Sequence, residues 1–557
     1  MKIKRFLTIL TTAVCSTSLF FSCNDLDTHS DGGFLDDDQI QDVMEAIPSR
    51  ISSSVNGMYA ILGKPLEMFG TASHRADDFG YIAMCLGQDL NSGDMVNPES
   101  GYDWFSVALE WSDRTPTYAN PQLRFGIPYK VIYAANNVLS AIAPDTENPE
   151  LIASRGQAKA IRAFSYLSLA PYFQFKYKGN EDKLSVPVLK DDENPNCNPR
   201  VPLRELYEDY IIADLTDAIS DLAEFKRPNK GVIDQQVVYG LRARAYLYME
   251  EWEKAAEDAT KALAGYTPYA MSELTSPGFY DANDHNWIWA LLLPAEIICA
   301  TGYTNYASFP SQLGSFSGDS YVAYAGIYRS INVLLWNKIP ASDVRKKWWL
   351  DEKKTSPYLD GLSWMDEAAN ITYEGQDIVA AKIPDVKEPM NKYANVKFGQ
   401  RSGVGSPYND GDWCMMRAEE MIFIKAEATA KAGNLGEGKQ ILENFVKTNR
   451  NPNYTCTAGT VADFSDEVWL QRRIELWGEG FAMADVMRLG KNVVRFHPGK
   501  ETNVPEVYQF NIASNDPWML LRFVQREITN NPCCEQNEGG TEPKQGDGGS
   551  LRDGVTD

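Results

Sequence analysis

The chain has 557 residues, 44% of them hydrophobic, with a formal net charge of −23 and a pI near 4.7. This composition excludes a wholly disordered chain, and it offers no basic surface to a nucleic-acid backbone or an anionic lipid sheet. The length suffices for several domains or one large helical body.

The N-terminus reads as an export signal. Lys2, Lys4 and Arg5 form a basic start, residues 6–21 are mostly apolar, and Ser22 precedes Cys23. The stretch is too short for a membrane-spanning helix, which needs about 20 apolar residues. With cysteine at the cleavage point it reads as a bacterial lipoprotein signal. Residues 1–22 are then removed and Cys23 carries the lipid. The alternative is an ordinary signal with an incidental cysteine. Residues 23–45, rich in aspartate (Asp25, Asp27, Asp31 and 36–38), read as an acidic tether to a single body over 46–534.

Amphipathic stretches follow at 125–142, at 156–173 and, after a loop carrying Pro187 and Pro199, at 203–222. In 237–263, apolar or small residues fall at Val238, Leu241, Ala245, Tyr248, Trp252, Ala255, Ala259 and Ala262. Spacings of three and four are the helical period. A turn near Glu250 and Glu251 splits the stretch into two helices closely packed through alanine, a tetratricopeptide-like pair. Residues 417–446 repeat the plan around a turn at Gly433 and Asn434, and 466–489 reads as one late helix. Residues 535–557 have almost no apolar content and read as a disordered tail. The expected fold is mostly α: a tetratricopeptide-like helix-pair scaffold at about 46–279 and 416–534. Between these parts lies a loop-rich insertion, about 280–415, with short β pieces. Loops on a rigid scaffold are where recognition usually sits.

Seven cysteines remain after the signal and the lipid site: Cys85, Cys197, Cys299, Cys414, Cys456, Cys533 and Cys534. They are odd in number and lack a C-x-x-C pair, so no zinc site is expected. Four histidines build no evident metal cage, and no cofactor is predicted.

Two stretches are rich in flat, hydrogen-bonding rings. One, 89–111, contains Asn97, Tyr102, Trp104 and Trp111; the other, 303–328, contains Tyr303, Tyr306, Tyr321 and Tyr324, with Asp319 as its sole acidic residue. Sugars combine apolar C–H faces with polar rims, and Tyr and Trp offer both area and a polar handle. These eight residues are the candidate ligand contacts. The alternative is that they are loop core, as expected for Trp287, Trp289, Trp348 and Trp349.

Charged residues cluster in 472–488. Arg472 with Glu475, and Asp485 with Arg488, sit at i,i+3 spacing, beside Arg473 and Glu479. We read these, together with Arg162, Arg417, Glu420 and Glu427, as structural ion pairs that tie helices together. Enzyme templates fail. The stretch 314–318 has Phe316 where a nucleophile elbow needs serine, and no zinc-protease, P-loop or calcium-loop motif occurs.

Several blocks then fall in a recognisable order. They are 156–164 with Tyr166 and Val186-Pro187, then 241–248 with Trp252, then 417–420 with 426–428. The sequence Arg-Arg-Ile-Glu-Leu-Trp-Gly-Glu-Gly follows at 472–480 and leads to Asp485 and Arg488; Gln525, Glu527, Asn530, Gln536 and Asn537 close the series. Together with the lipoprotein signal, they resemble the SusD/RagB family of outer-membrane nutrient-binding lipoproteins. The resemblance implies a lipid-anchored, outward-facing protein of the outer membrane. It implies a hinged lid over a SusC-like TonB-dependent transporter, which takes up captured oligosaccharide. Asp25 and Asp27 resemble that family's surface-export signal. The expected function is non-catalytic glycan capture in starch or glycan utilisation; the alternative is a peptide-binding, RagB-like uptake lipoprotein. Residues 71–112 and 280–415 are individual to this chain and leave the cargo open.

Overall fold

The computed structural model describes residues 37–98, 103–189, 197–293, 306–366, 369–380 and 389–557. The signal, Cys23, Tyr102 and Tyr303 lie outside these residues. The end of the expected tether is already helical: α1 (Asp37–Ala46) sets Ile40 and Met44, one turn apart, against the core, and Gln41 donates to the Ser140 carbonyl at 2.9 Å.

The N-terminal scaffold consists mainly of α2 (Ile51–Gly63), α3 (Tyr81–Asn91), α4 (Ala119–Ser140) and α5 (Pro149–Phe173). Helix α5 starts where Pro149 presets the backbone and the Asn148 side chain accepts from the Glu150 and Leu151 amides. After a π-helical stretch, Leu206–Ile212, comes α6 (Ala213–Asp221). Arg162 donates to both oxygens of Asp214, at 2.8 and 2.9 Å, and so ties α5 to α6.

The helix pair expected at 237–263 consists of α7 (Gln235–Met249) and α8 (Trp252–Ala262), joined through Glu250 in the left-handed conformation. Ala255, Ala259 and Ala262 are fully buried between neighbours. The second pair is α9 (Ala418–Lys431) and α10 (Leu435–Asn449), with Gly433 at the turn. Strand β1 (Trp287–Leu291) runs antiparallel to β2 (Trp413–Arg417), pairing Trp287 with Arg417 and Leu291 with Trp413. The ends of the insertion are therefore stitched to each other at the edge of the scaffold. Trp287, Trp289, Trp348 and Trp349 are all core residues.

Two expectations need correction. The late helix over 466–489 is two helices, α11 (Val461–Glu475), opened by a Thr460/Asp463 capping box, and α12 (Ala482–Leu489). The break holds Gly478 and Gly480 at φ of +80° and +86°, where only glycine is comfortable. A Cβ on Gly480 would lie 2.5 Å from Cys85 Sγ.

The segment 535–557, expected as a disordered tail, is packed onto the body. Asp553 is buried and accepts from Arg473 at 2.9 Å, the Asn511 amide donates to the Asp547 carbonyl, and Thr556 is buried. Its anchors are polar, so apolar content gave no sign of them. Just ahead of it, a disulfide joins Cys533 to Cys197 across 336 residues.

Candidate ligand-binding face

The charged block of 472–488 forms an ionic hub beneath the insertion. Glu475 accepts from Arg450 at 2.7 and 2.8 Å, from Arg417 at 2.8 Å and from Arg345 at 3.3 Å. Glu479 accepts from Arg417 and from Lys397, the latter at 2.6 Å. Burial works against both carboxylates, but the surrounding cations hold Glu475 well below the usual carboxylate range and Glu479 below it. Glu420 pairs with Arg244, and Glu427 with Arg488. Asp485 pairs with Arg488 as the spacing suggested. Arg472 does not pair with Glu475; it reaches Asp485 across the helix break at 2.7 Å, and Arg473 reaches Asp94 and Asp553. Glu475 and Glu479 thereby hold Arg345 and Lys397 of the insertion to the helices, a structural role. Among the described residues, no three His, Cys, Asp or Glu side chains are grouped to hold a metal ion.

Above the hub, the two ring-rich stretches come together. Met95 and Val96 pair with Ile331 and Ser330 in a two-rung antiparallel ladder. Asp103 accepts from Arg329 at 2.9 and 3.3 Å, from Asn97 at 2.7 Å and from the Phe105 amide. The same Arg329 donates through Nε to the Gln312 carbonyl. One buried guanidinium thus fixes the segment carrying Trp104 to the short helix Phe309–Gln312 that follows Tyr306. Such fixed ion pairs make loop geometry precise.

The candidate residues divide by depth. Trp111 is fully buried and donates its indole N–H to the Asn91 carbonyl; it is core. Asn97 is buried too and serves to orient Asp103. Tyr321 is buried, with its ring edge-on to that of Tyr306 at 6.1 Å. Trp104 and Tyr306 are half-buried, and Arg75 lies over the Trp104 ring at 4.7 Å. Tyr324, on the helix Tyr321–Ala325, is 43% exposed.

Tyr408 is a ring the sequence reading passed over. It is 57% exposed, and its loop is sewn to the Tyr324 side. The Gly318 amide donates to the Ser406 carbonyl, the Gly405 amide to that of Phe316, and the Asn409 side chain to that of Asp319, all at 2.8–2.9 Å. The available signal was an aromatic residue inside the glycine-, serine- and asparagine-rich run 401–411. Trp104, Tyr306, Tyr324 and Tyr408 therefore stand on segments fastened to one another. Half-exposed rings beside hydroxyl and amide groups suit contact with a ligand that has both apolar faces and hydroxyls.

Two family models match the sequence. One, described as the SusD family, covers residues 363–539, and one described as starch-binding associating with outer membrane covers residues 79–247. Solved structures share the fold. A SusD-like carbohydrate binding protein from Bacteroides vulgatus is 23% identical with a TM-score of 0.69, covering 87% of this chain and 97% of its own. A SusD superfamily protein from Bacteroides thetaiotaomicron is 21% identical at a TM-score of 0.65, over 88% of this chain and 99% of its own. One from Parabacteroides distasonis is 16% identical, also at 0.65, over 88% and 99%. A comparison with functionally curated proteins found no match. The matched regions take in the helical scaffold on both sides of the ring-bearing loops, and the chain belongs to the SusD/RagB family, described as starch-binding and associated with the outer membrane.

Proposed function

We propose that the protein captures oligosaccharide without cleaving it and hands it to a SusC-like TonB-dependent transporter in the outer membrane, held there by lipid on Cys23. The observation that carries this reading is the joining of two ring-rich stretches, through Arg329 and Asp103, into one supported face. The engagement of the hub carboxylates by arginine and lysine supports a binding role over acid–base chemistry. The Cys197–Cys533 disulfide suits a chain that folds outside the cytosol.

Isothermal titration against neutral oligosaccharides and peptides, with a product assay alongside, tests the reading. Oligosaccharide binding without turnover is expected. Trp104→Ala, Tyr306→Ala, Tyr324→Ala or Tyr408→Ala should each weaken it about tenfold, since an aromatic contact contributes roughly 0.5–1.5 kcal/mol beyond its area. Peptide binding alone would replace this reading with peptide uptake, and turnover would end it. Anchoring is tested separately: Cys23→Ser should release the chain from the membrane fraction and abolish metabolic labelling with palmitate.

A further inference from the structure

A second groove lies on the helical scaffold, between α4 and the C-terminal helix Gln525–Asn530. Its volume is about 580 Å³. The floor is apolar, built from Ile61, Met68 and Val524. Met68 can cross α4 because residue 126 is glycine; a Cβ there would lie 2.2 Å from the Met68 methyl. Tyr133 stands at the groove 63% exposed, one helical turn beyond Tyr129, which is fixed by its hydroxyl bond to the Pro187 carbonyl.

The polar groups around that ring are uncommitted. Gln122, Asn137 and Asn530 line the groove, and their side-chain amides make no hydrogen bond to any described residue. The Arg526 guanidinium likewise has neither an ion pair nor a hydrogen bond among the described residues, although the chain carries a net charge of −23. The groove's other two charged groups are engaged. Lys130 is paired with Glu67 at 2.9 Å, and Glu527 accepts from Asn531 at 2.6 Å.

We propose that this groove is a second glycan site, which takes one or two neutral pyranose units. The Tyr133 ring receives the apolar face of the sugar. The amides and Arg526 supply planar donors and acceptors for its hydroxyls. A strongly anionic ligand is disfavoured, because the Glu527 carboxylate lines the groove beside Arg526. A purely apolar helix would strand the amide rim. The proposal concerns a separate site, and it stands or falls independently of the loop face.

The test uses the full-length chain in detergent, titrated with maltohexaose, cellohexaose, mannohexaose and xylohexaose. In a Tyr324→Ala/Tyr408→Ala background, which weakens the loop face, residual binding of at least one saccharide is expected. Adding Tyr133→Ala with Arg526→Ala should weaken that residual binding at least tenfold; both side chains are exposed, so the fold is not at stake. On the otherwise unaltered chain, the same pair should leave loop-face binding intact. Residual binding indifferent to the Tyr133 and Arg526 substitutions would overturn the groove, as would its complete absence in the Tyr324/Tyr408 background. Absence of binding to the unaltered chain would count against both sites.

Discussion

Glu475 is fully buried, with Arg345, Arg417 and Arg450 all donating to it. Removing its charge leaves three buried cations short of a partner, and breaking a buried pair costs about 3–5 kcal/mol. Glu475→Gln is expected to lower the unfolding free energy from urea denaturation by that order, whereas Glu257→Gln, which breaks a surface pair with Lys261, should leave it unchanged. Asp89 gives a pH-dependent prediction. Burial raises its carboxyl to about 7, even though the Gly480 and Ala482 amides donate to it. In the unfolded chain it titrates near roughly 4. Between those values the folded state holds the proton more tightly, so stability falls as pH rises from about 4 to about 7. Asp89→Asn should remove that slope in denaturation midpoints measured from pH 4 to 8; an unchanged slope would place it on another group. At this scale the sequence was a partial guide. It identified the residue types of the hub, but Arg472 finds Asp485 instead of Glu475 because the intervening helix ends. Trp104 and Trp111 look alike in composition. Their depths nevertheless diverge: Trp111, left-handed at φ 60°, is fully buried, and Trp104 is half-buried.

Helix pairs were the most legible elements, because a 3.6-residue period persists through α7, α8, α9 and α10 and small residues mark their contacts. The break in 466–489 was hidden by the same signal: Leu470, Ile474, Trp477, Phe481 and Ala484 continue the period across it. Its cause is tertiary, the close approach of Cys85 and the capping of the break by Asp89. Two substitutions test these turns from opposite sides. Glu250 sits at φ 62° with no side-chain bond to a described residue, and a left-handed non-glycine residue costs about 1–2 kcal/mol. Glu250→Gly should therefore raise stability by about 1 kcal/mol, the strain relieved being partly offset by the greater entropy of glycine in the unfolded chain. Gly480→Ala should do the reverse and cost more, roughly 1–3 kcal/mol, since strain at φ +86° adds to overlap with Cys85. Chemical denaturation of both variants reads the two signs directly. The joining of the ring-rich stretches was illegible for a related reason. The ladder between 95–96 and 330–331 has only two rungs, and the Arg329–Asp103 pair spans 226 residues.

Across the whole molecule, the chain is closed by contacts distant in sequence. The last segment has few apolar residues and behaves as a polar strap. Arg473 of α11 holds both Asp94 of the N-terminal half and Asp553 near the C-terminus. Composition detects hydrophobic burial, so it cannot distinguish such a strap from a solvated tail. The Cys197–Cys533 disulfide closes the circuit just before the strap begins. Its neighbour Cys534 is buried, which pushes that thiol up to about 12 and keeps it protonated, a poor partner for exchange. Cross-linking so long a loop constrains the unfolded chain, and losing a native disulfide typically costs about 2–5 kcal/mol. Cys197→Ser with Cys533→Ser should lower the unfolding midpoint accordingly, while Cys534→Ser leaves the bridge intact by mass analysis. Hydrogen exchange would show whether the bridge also holds the strap. If it does, amides of 535–557 exchange faster in the double variant while those of α7 and α8 are unchanged. Equal exchange in both would mean that Arg473 and Asp553 hold the segment without help, and Asp553→Asn should then release it alone.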